Sequence, residues 1–263
     1  LRLLVARKSA GVEGGAEVTL TGYAGSGGPL TLPSVIAGLP VTRIGTNAFE
    51  GRTELTGWLT IPNSVVNIER QAFDGCINLS GLTLGSGVRE ILFGAFAQCS
   101  GLSGPLLIPS SVTTIDLYAF YGCSELTGNL IIPDSVTTIG AGAFAHCRNF
   151  AGLQLGTSLV EIGGNAFGLC AGLGSVAIPD GVSMIGPHTF SGCSNLVYVV
   201  VGNGVTYIGE RPFDNCSKLL AICFKGAAPS LHDNAFYGTT PTLCYVEGQP
   251  GWTAATIGGC PTT

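Results

Sequence analysis

A phenylalanine recurs at positions 49, 73, 96, 120, 144, 167, 190, 213 and 236, each 23 or 24 residues after the one before. A period of this length adds one supersecondary unit per repeat, and each unit can bury its apolar face only against its neighbours in a stack. Such a chain has to be a solenoid. The unit is plainest from 132 to 147, Ile-Pro-Asp-Ser-Val-Thr-Thr-Ile-Gly-Ala-Gly-Ala-Phe-Ala-His-Cys.

Within the unit the columns line up. Leucine stands six residues after the Phe (Leu55, Leu79, Leu102, Leu126, Leu173, Leu196, Leu219, with Phe150 as the substitute), and an alternating apolar pair follows, as in Leu59/Ile61 or Leu130/Ile132. Alternation over so short a run predicts a strand with one buried face. Pro or Gly comes next (Pro62, Gly85, Pro109, Pro133, Gly156, Pro179, Gly202) and turns the chain, because proline lacks a ladder N–H and glycine opens positive φ. Val and then Ile three residues on (Val65/Ile68, Val112/Ile115, Val136/Ile139) bury a second side, and Ala-Phe closes the third. The extra residue of the 24-residue repeats falls in Thr-Gly-Trp, Ser-Gly-Pro or Thr-Gly-Asn, and is expected to be a loop insertion before the strand.

Residues 1–29 do not fit the repeat. Two apolar stretches, 1–6 and 16–23, flank a polar glycine-containing turn and predict a strand–turn–strand cap, which would cover the otherwise bare end of the stack. The expected organisation is an N-terminal cap over 1–29, a repeat array over 30–222, and a last repeat with C-terminal cap over 223–263. The chain opens at Leu1 without a signal-peptide pattern, so a mature or excised segment is expected.

The pattern Ile-Pro-x-Ser-Val-Thr-x-Ile-Gly-x-x-Ala-Phe-x-Gly-Cys-x-x-Leu resembles the BspA-like, or Treponema-type, class of bacterial leucine-rich repeats over about residues 20 to 261. The segment from Gly22-Tyr23 to Pro40-Val41 resembles the family's opening segment, and Phe224-Lys225-Gly226 through Gly251-Trp252 its closing one. Arg52 and Thr239 depart from it in place of Cys, and Pro212 in place of Ala. The resemblance implies a leucine-rich repeat solenoid of the α/β class, with one parallel strand per 23–24-residue repeat and short helical or irregular turns on the other sides. It also implies a surface-exposed or secreted protein that binds and performs no chemistry.

Charge and cysteine usage narrow the rest. A net charge of −5 with no Lys/Arg cluster excludes nucleic acid and anionic membrane as main partners. No apolar run approaches the roughly 18 residues that cross a bilayer, so membrane insertion is not expected. Seven of the ten cysteines (Cys76, Cys99, Cys123, Cys147, Cys170, Cys193, Cys216) share one column, three residues after the Phe. Buried, reduced packing is the expected reading of that column; bridges within it or a metal are the alternatives, though C-x-x-C spacing is missing. Cys223 and Cys244 lie off the column at equivalent outward places on neighbouring strands and form a candidate disulfide; Cys260 is also off it. No cofactor and no catalytic constellation is expected. His146, His188 and His232 are scattered, and Glu69, Glu90 and Glu161 read as solvating charges.

The outward strand positions carry Trp58/Thr60, Pro105/Leu107, Asn129/Ile131, Gly152/Gln154 and Tyr198/Val200 among others, and not one is charged. The candidate binding residues are Trp58, Thr60, Leu107, Ile131, Gln154, Tyr198 and Val200, on a continuous face expected to run about 30 Å at the spacing of stacked strands. A protein or glycan ligand is the expected partner. Two rivals stay open: ordinary strand surface on a structural spacer, and an enzyme with an unrecognised site.

Overall fold

The computed structural model describes residues 4–10, 15–252, 256–257 and 260–261. It is a solenoid with three sides, here called the face, the back and the turn side. Among the described residues no helix occurs; the corners between strands are irregular turns.

The face carries the longer strands, all parallel within their sheets. Gly28–Thr31, Leu55–Thr60 and Leu79–Thr83 form one sheet, and Gly104–Leu107, Leu126–Ile131 and Phe150–Gln154 a second. Ser175–Ile178, Tyr198–Val201, Ala221–Phe224 and Thr242–Tyr245 form a third. The back carries strands of mostly two residues, from Leu39–Ile44 through Asn67–Ile68 to Glu161–Ile162, then in a separate sheet from Met184–Ile185 to Ser230–Leu231. Ala16–Tyr23 extends the back sheet in parallel with Leu39–Ile44, and Leu4–Ala10 pairs with it antiparallel.

The extra residue of the longer repeats is not a loop insertion. It lies inside the strand as a β-bulge, where the pairing register slips at Gly57/Trp58 and Gly128/Asn129. Gly57, Gly104 and Gly128 take φ of 79°, 79° and 75°, a left-handed conformation that costs glycine nothing. In the shorter repeats Gly81 and Gly152 take the ordinary strand conformation.

The Pro and Gly corners are coupled between rungs. A Cβ added to Gly85, Gly156 or Gly202 would stand 2.4, 2.5 or 2.6 Å from backbone atoms of Pro62, Pro133 or Pro179, so at these three corners the backbones approach too closely for any residue but glycine. The residue after each of those prolines then reaches across: Asn63, Asp134 and Asp180 accept the N–H of Ser86, Thr157 and Asn203 at 2.9, 2.7 and 3.1 Å. The Thr157 N–H, and after it the Thr157 hydroxyl at 3.0 Å, hold the Asp134 carboxyl below its ordinary range.

The core is a set of columns. Phe49, Phe73, Phe96, Phe120, Phe144, Phe167, Phe190 and Phe213 are fully buried and stack with ring centroids 4.8–6.0 Å apart and planes within 8°. Each Phe N–H donates to the carbonyl before the next Phe, from Phe49→Ala72 to Phe190→Pro212, at 2.8–2.9 Å. That hydrogen-bond row has no gap.

The cysteine column completes it. Every one of the seven thiols is buried and free, and each donates to the carbonyl of the preceding rung's Phe at 3.0–3.2 Å. Burial pushes Cys76, Cys170 and Cys216 up to about 12, and Cys99, Cys123, Cys147 and Cys193 well above their ordinary value. The departure at Arg52 has the same logic. The first rung has no preceding Phe, so Arg52 Nη2 reaches 2.7 Å to the carbonyl of Tyr23, whose ring stands 6.1 Å from Phe49. At the other end Trp252 stacks on Tyr245 at 4.8 Å and donates to the Gly226 carbonyl at 3.1 Å.

Candidate binding faces

The face strands turn alternate side chains outward because strand residues alternate sides. Leu107 is 73% exposed, Trp58 54%, Tyr198 52% and Ile131 51%; Thr60 and Gln154 are exposed and Val200 half-buried. Leu107, Ile131 and Gln154 are register partners on three adjacent strands, and Ile131 and Gln154 line a cleft of about 240 Å³. Trp58 and Thr60 line a larger one, of about 600 Å³, with Leu32 and Pro62. Trp58 does not project freely: it lies over Gly81, whose added Cβ would be 2.2 Å from the indole, and its Nε1 donates to Thr83 Oγ1 at 2.8 Å.

The seven residues do not share one hydrogen-bonded sheet. Trp58 and Thr60 sit on the first, Leu107, Ile131 and Gln154 on the second, Tyr198 and Val200 on the third. The break between Leu79–Thr83 and Gly104–Leu107 has a local cause: Pro105 has no N–H to give, and Ser103 bonds the Ser80 carbonyl through its N–H at 3.2 Å and its Oγ at 2.8 Å. The break before Ser175–Ile178 coincides with one on the back, between Glu161–Ile162 and Met184–Ile185.

Cys223 and Cys244 are register partners at a Cα separation of 4.4 Å and are joined by a disulfide across the last two face strands. The Cys260 side chain lies outside the described residues. Glu69 accepts the Thr46 N–H at 3.1 Å and stands 3.8 Å from Arg43, which pairs with Glu17 at 3.1 Å; Glu90 accepts from the Asn67 carboxamide. These carboxylates tie rung to rung. Among the described residues no cluster of three His, Cys, Asp or Glu could hold a metal ion, and no helix is long and apolar enough to cross a membrane.

Sequence columns did not reveal the conformation of the turn side. At two and at minus two residues from each Phe from Phe49 to Phe213 the backbone is left-handed, and several of these places hold large residues: Gln71, Gln98, Tyr118, His146, Leu169, His188 and Arg211, with φ of 49–66°. Two of the three histidines thus belong to these columns, while His232 Nδ1 accepts the Asn234 N–H at 3.1 Å.

A stack of parallel face strands with a Leu-rich interior and one turn of chain per rung is a leucine-rich repeat solenoid. The BspA type leucine rich repeat region matches residues 42–128 and 113–242 in six copies, and the chain belongs to that family. The crystal structure of a leucine rich repeat protein of T. pallidum is 32% identical, over 83% of this chain and 88% of that one, at a TM-score of 0.60. A leucine-rich repeat protein from Bacteroides ovatus superposes over 92% of this chain and 69% of that one, with 23% identity and a TM-score of 0.65. A leucine rich cell surface protein from Faecalibacterium prausnitzii does so over 91% and 86%, with 22% identity and a TM-score of 0.50. These last two share the fold. No curated protein matches the chain.

Proposed function

We propose that the chain is a non-enzymatic recognition module of a cell-surface or secreted protein, and that it presents the outward side of its face strands to a protein partner. The observation that carries this is the pair Leu107 and Ile131, adjacent register partners that are 73% and 51% exposed, in a row without a charge. Exposed aliphatic side chains held rigidly side by side are the kind of anchor that dominates protein contacts once desolvated. The fold supports the reading, since each rung adds only a strand's width to a broad display surface. The bacterial cell-surface description of the Faecalibacterium neighbour supports the location.

The test is an array of extracellular proteins probed with the labelled chain and with Leu107→Arg and Ile131→Arg. Both variants are expected to fold, by circular dichroism, and to lose the parent's hits by more than about tenfold. Hits unchanged in both would remove the face from recognition. A parent with no hits favours the spacer reading, which the satisfied hydrogen bond of Trp58 also accommodates.

A further inference from the structure

The turn side bears a second concave surface, on a different side of the solenoid from the Leu107–Ile131 row. Its origin lies in the two left-handed columns. Glycine would serve at every such position, and glycine does stand at Gly75, Gly94, Gly122 and Gly142. The large residues alternate with it: Gln71 shares a rung with Gly75, Gln98 with Gly94, Tyr118 with Gly122, His146 with Gly142. Left-handed backbone costs an L-residue and costs glycine nothing, so a tyrosine there is held against a local preference.

Gln71, Gln98 and Tyr118 each lie along the axis over the glycine of the following rung, Gly94, Gly122 and Gly142. A Cβ built on Gly142 would be 2.5 Å from the Tyr118 ring, and one on Gly122 would be 2.9 Å from the Gln98 carboxamide oxygen. Beside these side chains lies a cleft of about 520 Å³, walled by Phe93, Tyr118, Tyr121 and His146, with Gln71, Gly94 and Gln98 also lining it. The aromatic row is edge-to-face throughout: Phe93 to Tyr118 at 5.9 Å, Tyr118 to Tyr121 at 5.6 Å, Tyr121 to His146 at 5.0 Å. Tyr118 is 40% exposed and the other three are half-buried.

The lining chooses a ligand class. No Lys or Arg is among the residues lining the cleft, and the guanidinium on its wall, Arg70, is engaged, lying 4.2 Å over the Phe93 ring and donating through Nε to Gln71 Oε1 at 3.4 Å; the lining carboxylate, Asp74, accepts from Gln71 Nε2 at 3.0 Å, which leaves Gln98 as the free glutamine carboxamide. Burial, and after it the Arg148 guanidinium, hold the His146 imidazole below its ordinary range, so the ring is neutral at pH 7 and offers one donor and one acceptor. Aromatic faces meet apolar C–H surfaces, while carboxamides and a neutral imidazole pair with hydroxyls that both donate and accept. A pyranose presents both kinds of surface on one rigid ring. We propose that the cleft of Phe93, Tyr118, Tyr121 and His146 is a binding site for a neutral oligosaccharide.

The experiment is saturation-transfer NMR and calorimetric titration of the chain with cellohexaose, maltohexaose, mannohexaose and N-acetylglucosamine hexamer at millimolar concentration. At least one is expected to bind. Tyr118→Gly places glycine where the backbone is left-handed, so thermal unfolding should change little, while affinity for that sugar falls about tenfold or more with the ring removed. Tyr121→Ala should weaken it similarly. Leu107→Arg, on the other side of the solenoid, should leave it unchanged, so failure of the sugar site and failure of the protein-binding face are read separately. The proposal is overturned if none of the four sugars binds, or if the affinity of one that does is the same in Tyr118→Gly and Tyr121→Ala.

Discussion

The turn side and the face of this solenoid are built from the same repeats, yet only one of them is continuous. On the turn side the Phe N–H row runs from Phe49 to Pro212 without a gap, and seven thiols repeat one hydrogen bond to the Phe carbonyl. On the face the strands divide into three sheets, with bulges wherever a repeat has 24 residues. The turn side sets the pitch because a stacked aromatic ring and a buried S–H leave no room for an added residue. The face absorbs length changes because a glycine bulge moves the extra residue outward and leaves Leu59, Leu106 and Leu130 in the core.

The comparison breaks most readily at the Phe column. Phe144→Ala should cost about 3–5 kcal/mol in a denaturant titration, as a buried aromatic deletion with no collapse available between two stacked rings. Phe93→Ala, half-buried on the same side, should cost about 1 kcal/mol. Equal losses would mean that the column does not carry the fold.

A smaller effect tests how much of the face side is free to vary. Gly156→Ala puts a Cβ 2.5 Å from the Pro133 carbonyl oxygen and should cost about 2–3 kcal/mol, whereas Gly174→Ala meets nothing within 4 Å and should be neutral or stabilise by about 0.4–1 kcal/mol. If both alanines are tolerated alike, the close approach of Pro and Gly corners is not what couples neighbouring rungs.

The smallest change is at the thiols. Cys147→Ala should cost about 1–2 kcal/mol, from one S–H bond and a small void. Native labelling, mapped by mass spectrometry, should leave all seven column cysteines unmodified, and denaturant without reductant should expose all seven. Their protonated form is favoured in the folded state up to about 12, against an ordinary value of 9.0, so the folded chain holds protons that the unfolded chain loses. Their contribution is therefore complete below pH 9.0 and should fall as pH rises from there through the folded values. Stability that stays flat across that window would mean that the thiols are not buried as protonated groups.

Much of this was legible in the chain alone, because a solenoid repeats one local problem and its columns print the solution many times over. The Phe spacing, the alternating pair and the Pro or Gly corner each place their residues in the core or at a turn without any knowledge of long-range pairing. The bulges were not legible, since Ser-Gly-Pro reads equally as a loop or as a kinked strand until the partner strand is present. Nor was the division of the face, which depends on whether a given N–H, such as the one Pro105 lacks, has a carbonyl opposite it.

The aromatic cleft depended wholly on the stack. Phe93, Tyr118, Tyr121 and His146 stand at −3, −2, +1 and +2 from the Phe of their own repeats, so no single column contains them. The alternation of glycine with large residues at two places either side of the Phe was the available signal, but its meaning is conformational. Only the left-handed backbone at those places sends Gln71, Gln98 and Tyr118 over the next rung's glycine. Sequence alone determined which residues repeat and therefore which are buried, since burial follows from the period; the tertiary structure decided which side chains from different rungs meet, because that depends on the offset between rungs.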